Sequence, residues 1–226
     1  MLLAGCAQPG SVPPAASAGA TDVLPSDVYY SSVLPTSRVE LPRGANRPEG
    51  APATPDAELT GEQLDALLMS VASVPSTDNS CTAGDLRLSL DSPDAAAGHH
   101  FGRLLATNIS GRSCEVQGWP GMGIRGEWGT PFTTVVGQNQ PEANPIGVPP
   151  ADPAVPVMVG PGGHAAAALE WTGSLGGAYD EPASLLVVQF ADGQRAATLP
   201  LGAEDHVDIG PETTVRIAPW GQAREG

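Results

Sequence analysis

The sequence predicts an all-β domain of the β-sandwich class, preceded by a disordered Pro- and Ala-rich tether and one short helix. Two observations predict it. From Cys81 onward, short apolar runs alternate with turns that contain Gly, Pro or Asn, a pattern typical of sandwiches. Before residue 59 the composition is that of a linker. A length of 226 residues with 41% apolar side chains allows one ordinary domain plus a tail.

Residues 1–6 have the features of a lipoprotein signal peptide that has lost its beginning. Leu3-Ala4-Gly5-Cys6 is the order of apolar, small and cysteine residues that a bacterial lipoprotein signal peptidase accepts. We therefore predict lipidation, such as palmitate, at Cys6. The charged segment that usually precedes such a site is absent, which indicates a natural start upstream of Met1 or a trimmed chain. The alternative is a chance match, since Leu, Ala and Gly are common here.

Residues 7–58 form the predicted tether. Pro, Ala, Gly and Ser fill 28 of these 52 positions, and few of the remaining side chains could fill a core. One apolar patch around Tyr29 and Tyr30 interrupts this composition. It is either a sticky stretch of the tail or an arm that docks on the domain or on a partner.

Residues 59–75 contain the predicted helix. Thr60 and Gln63 have the spacing of a capping box, and Pro75 ends the pattern. Apolar residues follow at helical intervals: Leu64, Leu67, Leu68 and Val71. A helix of this length is unstable alone, so we expect it to pack on the domain that follows.

Residues 79–220 form the predicted sandwich domain. Pro161-Gly162 suits the centre of a type II turn, and Asp192-Gly193 between apolar runs indicates a hairpin. Residues 137–154 hold five Pro and are expected to form a long loop, disordered rather than functional. We predict strands within residues 86–90, 101–107, 116–119, 122–124, 131–136, 155–159, 165–171, 184–190, 195–201 and 213–217.

The two cysteines beyond Cys6 form an even pair. Cys81 and Cys114 are 33 residues apart, and neither has a His or a third Cys at metal-ligand spacing. In an exported protein such a pair indicates a disulfide. The alternative is two buried free thiols in a cytosolic domain.

The order of several short motifs resembles an actinobacterial envelope lipoprotein domain of unknown function, the family numbered forty-two thirty-two. The resemblance covers about residues 79–220 and implies a secreted or lipid-anchored immunoglobulin-like sandwich with a Cys81–Cys114 bridge. It implies no activity. Some relatives have a second Cys pair that this chain lacks. The matching stretches are Cys81-Thr82-Ala83-Gly84-Asp85-Leu86, Thr107-Asn108-Ile109-Ser110-Gly111-Arg112-Ser113-Cys114, Gly118-Trp119-Pro120-Gly121, Val159-Gly160-Pro161-Gly162-Gly163-His164-Ala165 and Glu170-Trp171.

The sequence contains two weak matches to enzyme motifs, and their context supports neither of them. Residues 121–126 match G-x-G-x-x-G, but a Trp-Pro turn precedes them and no helix can follow. Asp85, Ser110 and His164 are the types of a hydrolytic triad, yet nothing in their spacing selects them. We therefore expect no catalytic residues and no cofactor, and a secreted hydrolase is the weakest alternative.

An exported copper- or zinc-binding protein is the second functional alternative. Its candidate ligands are His99, His100, His164, His206, Met122 and Met158. The competing interpretation places His99 and His100 in a solvated turn. The acidic residues Glu204, Asp205, Asp208 and Glu212 indicate a solvated face more than a Ca²⁺ site. Of the tryptophans, Trp171 is expected in the core, whereas at least one of Trp119, Trp128 and Trp220 could lie exposed on a binding loop.

Charge and composition complete the functional prediction. A net charge of −15 argues against a nucleic-acid binder, and no apolar run is long enough to span a bilayer. The sequence therefore predicts a non-enzymatic binding or structural module at the extracytoplasmic face of a bacterial cell membrane. The lipid anchor at Cys6 attaches it to the membrane, or the protein is secreted where the anchor is absent. Its partner is an unidentified envelope protein or glycan.

Overall fold

A computed structural model describes residues 58–96, 99–133, 135–141, 148–172, 181, 183–201, 207, 209–210 and 213–223; for residues 92–96 and 135 it describes the backbone only. The predictions for the signal peptide at 1–6, for Cys6, for the tether at 7–57 and for the Tyr29-Tyr30 patch lie outside the described residues.

The described residues form one short helix and twelve strands, which confirms the predicted all-β class. The helix α1 covers Gly61–Asp65. The strands are β1 Leu68–Ser70, β2 Leu86–Ala96, β3 His99–Asn108, β4 Cys114–Val116, β5 Gly121–Gly126, β6 Val135–Gln138, β7 Val157–Val159, β8 His164–Thr172, β9 Ala183–Gln189, β10 Ala197–Pro200, β11 Thr214–Ile217 and β12 Gly221–Gln222.

Two sheets face each other, as expected for a sandwich. The first sheet has the order β1-β5-β9-β10. The second has the order β2-β3-β8-β11-β6, with β12 also paired to β8. Neighbouring strands are antiparallel except for β11 and β6, which run parallel. Strands β4 and β7 form a separate antiparallel pair.

The main core lies between the two sheets. On β8 the alternating side chains of Ala167, Leu169 and Trp171 face inward and are almost completely buried. The first sheet supplies Ile124 and Leu186, which belong to the same buried cluster. Successive residues of β8 face opposite sides of the sheet, and the sequence located this strand as a short, mainly apolar run between turns.

The outer face of the second sheet carries a smaller apolar cluster. Val148 packs with Ala166 and Ala168 of β8, which point away from the main core. Val148 is buried, and residues 137 and 138 belong to β6. The prediction of a disordered loop over residues 137–154 is therefore wrong for residues 137 and 138, which form part of β6, and for Val148, which is buried. Residues 142–147 of this loop lie outside the described residues.

The helix has the predicted cap but ends earlier than predicted. The Thr60 side chain accepts from Gln63 N, and the Gln63 side chain accepts from Thr60 N at 2.9 Å, which makes the capping box. Helical structure stops at Asp65, and β1 begins at Leu68. The prediction of a helix over residues 59–75 is corrected here because β1 pairs with β5, and these long-range hydrogen bonds override the local apolar spacing.

The glycine turns lie where the sequence predicts them. Gly162 has φ +74°, and Gly163 N donates to Gly160 O at 2.8 Å, which closes the turn before β8. Gly193 has φ +82° and lies in the hairpin between β9 and β10. Both positions need the left-handed backbone that glycine adopts without a steric penalty.

Gly123 allows β1 to approach β5. A Cβ atom at this position would lie 2.0 Å from the carbonyl oxygen of Leu67, which is backbone and cannot rotate away. We expect Gly123→Ala to lower the free energy of unfolding by about 1–3 kcal/mol. A matched control is Gly111→Ala, where a Cβ meets nothing within 4 Å and a change below about 0.5 kcal/mol is expected. Urea unfolding at neutral pH with the disulfide intact measures both, and equal stabilities would contradict the close approach.

Candidate functional site

The predicted disulfide forms and is completely buried. Cys81 lies just before β2 and Cys114 opens β4, with their Cα atoms 4.8 Å apart. Backbone hydrogen bonds flank the bridge: Cys81 N donates to Glu115 O, and Glu115 N donates to Asn79 O, each at 2.9 Å. The bridge therefore fastens the segment that enters the second sheet to the β4–β7 pair.

Asn108, at the end of β3, is the central polar residue beside this bridge. Its side chain is 1% exposed. Its Nδ2 donates to Arg112 O and to Val159 O, both at 2.8 Å. Its Oδ1 accepts from Ser110 N at 2.9 Å and from Ser110 Oγ at 2.8 Å. Asn108 thus closes its own turn and also joins β3 to β7.

Asp85 and Arg112 form the charged part of the same site. Arg112 Nε donates to Asp85 Oδ1 at 3.0 Å, and Arg112 Nη2 contacts Oδ2. Thr82 donates to Oδ2 through both N and Oγ1, at 2.9 and 2.7 Å. The Arg112 guanidinium, with help from Thr82, holds the pKa of the Asp85 carboxyl well below its usual range, although burial opposes this shift.

These residues form what we call the disulfide hub: Cys81, Thr82, Asp85, Asn108, Ser110, Arg112, Cys114 and Val159. Motif stretches that are far apart in the sequence meet here. The polar groups of the hub bond to one another, and a carboxylate with a depressed pKa is a poor proton acceptor at neutral pH. The geometry is suited to bracing strands, and the same residues offer no activated nucleophile.

The suggested triad residues have separate partners. Asp85 binds Arg112, and the Ser110 hydroxyl donates to Asn108. His164 Nδ1 lies 2.9 Å from Thr107 Oγ1, at the start of β8. The described hydrogen bonds therefore do not link these three side chains into a relay. The glycine motif at residues 121–126 is the buried strand β5 and not a phosphate-binding loop.

The candidate metal ligands are dispersed. His99 and His100 lie on β3, which corrects the solvated turn expected for them: His99 Nδ1 is 2.7 Å from Glu170 Oε1, and the His100 ring stacks on Trp171. His164 lies at the other end of the β3–β8 ladder. Met122 is buried and Met158 is 57% exposed. In the part of the chain that the structure describes, no three His, Cys, Asp or Glu side chains gather to hold a metal. His206, Glu204, Asp205, Asp208 and Glu212 lie outside the described residues.

Two buried carboxylates were not predicted from the sequence. Glu170 is 3% exposed and is contacted by His99 and by Arg216 Nη1 at 3.3 Å. Glu181 is also buried and accepts from Trp128 N at 2.6 Å. The single signal for a buried carboxylate in the sequence was that Glu170 interrupts the apolar run of β8. Its partners His99 and Arg216 could not be predicted, because they lie on strands that are distant along the chain.

The tryptophans contribute to the interior. Trp128, Trp171 and Trp220 are buried, and Trp119 is half-buried. The expectation that Trp171 belongs to the core is confirmed. The expectation of an exposed tryptophan on a binding loop is wrong, because all four are described and none is exposed.

Two surface grooves are lined entirely by described residues. The larger has a volume of about 680 Å³ and is lined by residues of 149–152, 155–158 and 220–222, including the exposed side chains of Val155 and Met158. The smaller, of about 390 Å³, lies between β2 and β10 and is called here the β2–β10 groove. Its lining is mostly apolar and includes Leu64, Ile109 and Pro200.

One family matches the sequence. The family model described as Domain of unknown function (DUF4232) matches residues 81–221, which contain the disulfide hub and the described strands from β2 to β11, together with the first residue of β12. No curated protein and no solved structure matches the chain. Among the described residues, no helix has the length and apolar character needed to cross a bilayer.

We expect Asn108→Ala to destabilise the domain by about 2–3 kcal/mol, because it leaves the buried carbonyl of Val159 and the carbonyl of Arg112 without their donor. Ser110→Ala removes one half-buried hydroxyl but keeps the bond from Ser110 N to Asn108 Oδ1, so it is expected to cost about 1 kcal/mol or less. Urea unfolding of both variants provides the comparison. A loss below about 0.5 kcal/mol for Asn108→Ala would contradict its central position.

The stabilisation from Asp85 is expected to depend on pH. Because its folded-state pKa is depressed, the carboxylate stabilises the fold fully above the unfolded Asp pKa of about 3.9, and this contribution is lost as the pH falls below that value. Asp85→Asn does not titrate there. The difference in free energy of unfolding between wild type and Asp85→Asn should therefore shrink between pH 7 and pH 3. A difference that stays constant over this range would contradict the assignment.

Proposed function

We propose that this chain, which belongs to the DUF4232 family of domains of unknown function, is a lipid-anchored module with a non-enzymatic binding or structural role on the extracytoplasmic side of a bacterial membrane. The observation that carries this proposal is the buried Cys81–Cys114 disulfide, which lies within the residues that the family model matches. Disulfides persist in oxidising compartments and are rare in the cytosol.

The third cysteine supports the anchor. With Cys81 and Cys114 joined, Cys6 is the unpaired thiol, and it follows the Leu3-Ala4-Gly5 sequence that signal peptidases for lipoproteins accept. The Pro- and Ala-rich composition of residues 7–58 suits a spacer between the membrane and the domain. A lipoprotein carries two or three acyl chains, which is enough for stable membrane attachment.

The hydrogen bonding of the hub supports a role without catalysis. The polar side-chain atoms of the hub are hydrogen-bonded within the domain: Asn108 donates to two backbone carbonyls, and Arg112 donates to Asp85 and to the backbone of Ser80. Chain-entropy arguments assign about 3–4 kcal/mol to a disulfide that closes a loop of this length. The motif residues therefore account for the stability of the fold, and the partner, an envelope protein or glycan, binds elsewhere on the surface.

The acidic character of the chain restricts that partner. A net charge of −15 repels polyanions, and the electrostatic part of nucleic-acid binding needs a basic face. The same charge disfavours direct adsorption to anionic lipid, so membrane attachment depends on the acyl chains of Cys6.

Intact-mass spectrometry tests the anchor and the bridge together. The gene is expressed with its natural upstream sequence in a host that lipidates exported proteins, and the membrane fraction is analysed. We expect a chain that starts at Cys6, carries acyl chains, and is two hydrogens lighter than its dithiol form.

The matched control is Cys6→Ser. It should lose the acyl mass and leave the membrane fraction while it keeps the Cys81–Cys114 bond. Alkylation of both Cys81 and Cys114 in exported wild-type protein would overturn the oxidised module. An unmodified Cys6 in a full-length chain would overturn the anchor.

A further inference from the structure

Strand β2 is an edge strand of the second sheet. It pairs with β3, and among the described residues no strand pairs with its other side. With eleven residues it is the longest strand described. A long unpaired edge exposes backbone donors and acceptors that another strand can use.

The register of β2 on β3 determines which groups point outward. Ile109 N donates to Asp85 O at 2.8 Å, so the pair formed by Asp85 and Ile109 is a hydrogen-bonded one. Antiparallel ladders alternate between hydrogen-bonded and non-hydrogen-bonded pairs. Residues 87, 89 and 91 therefore bond to β3, whereas residues 86, 88 and 90 direct their N–H and C=O groups away from the sheet.

The charged side chains on this edge are arranged so that the edge is complementary to a second copy of itself. Arg87 and Ser89 are exposed, and Asp91 is half-buried and bound to Arg103. A cation and an anion thus stand at equal distances on either side of Ser89. Next to the edge, the β2–β10 groove leaves apolar surface open, with Ile109 52% exposed.

We propose that β2 pairs antiparallel with β2 of a second copy of this chain, about a two-fold axis that passes between the two Ser89 residues. In this register Leu88 and Leu90 of the two copies form the hydrogen-bonded pairs, which agrees with the outward direction of their backbone groups. Arg87 of each copy then faces Asp91 of the other and extends the existing Asp91–Arg103 pair.

Neighbouring registers lack this match. An axis at Leu88 places Arg87 opposite Ser89, and an axis at Leu90 places Asp91 opposite Ser89. The charges on this edge therefore select one register, and they select a copy of the same strand because a two-fold axis brings each charge to its opposite. The second sheets of the two copies then form one continuous sheet across the two-fold axis.

Cysteine cross-linking tests the register in the full chain with Cys6→Ser. At a non-hydrogen-bonded pair the facing Cβ atoms lie about 4.5–5.5 Å apart, within reach of a disulfide after a small adjustment. Ser89→Cys should therefore form a covalent dimer on mild oxidation. The matched control is Thr214→Cys, which is exposed on β11, three strands away from β2 in the same sheet, and should stay monomeric. A Ser89→Cys chain that stays monomeric, or one that cross-links no better than Thr214→Cys, would overturn the proposal.

Sedimentation equilibrium tests the charges. Arg87→Asp opposes two carboxylates across each pair and should raise the dimer Kd at least tenfold, whereas Arg87→Lys should stay within about threefold of wild type. Ser89→Lys places two ammonium groups face to face and should give a monomer. Thr214→Lys, on the exposed face of β11, is its control and should leave the dimer intact. Unchanged thermal unfolding of these exposed variants shows that the fold is retained.

A wild-type chain that sediments as a monomer up to about 1 mM would overturn the proposal, and would leave the edge of β2 to a strand from another protein. A dimer whose Kd does not respond to Arg87→Asp would overturn the register.

Discussion

The bond between Cys81 and Cys114 is the constraint on which the rest of the domain depends. It joins the segment that enters β2 to the start of β4, and β4 in turn pairs with β7. The small β4–β7 pair belongs to neither sheet of the sandwich, so it needs a covalent or strongly hydrogen-bonded attachment. The bridge supplies the first, and Asn108, which donates to Val159 O of β7, supplies the second.

The disulfide hub shows how short polar segments can fix the arrangement of strands. Buried polar groups are costly unless they are bonded, and a fully bonded buried network specifies one arrangement of its strands. Asp85 and Arg112 stand 27 residues apart yet form one ion pair, and Thr82 adds two donors to the same carboxylate. These residues therefore connect segments that are distant in the sequence, and their polar groups stabilise the architecture around the bridge.

The two faces of the second sheet pack against different apolar clusters. The inner face of β8 carries Leu169 and Trp171 into the main core, whereas its outer face carries alanines that Val148 covers. Glu170 lies on that outer face too, where His99 Nδ1 and Arg216 Nη1 contact its carboxylate. The sheet is thus enclosed on both faces in its middle, and β2 is left as its open side.

The strands, the glycine turns and the Cys pair could be predicted from the sequence, because each depends on neighbours a few residues away. Short apolar runs between turns located β8 and β9, positive φ at Gly162 and Gly193 is a local property, and the count of cysteines left one pair. Tertiary contacts decided the rest. Residues 68–70 follow a helical spacing but become a strand because β5 offers hydrogen bonds. His99 has a polar environment in the sequence, yet the β3–β8 register places it against a buried carboxylate. Local chemistry sets period and turn, and pairing between distant strands sets which polar group meets which.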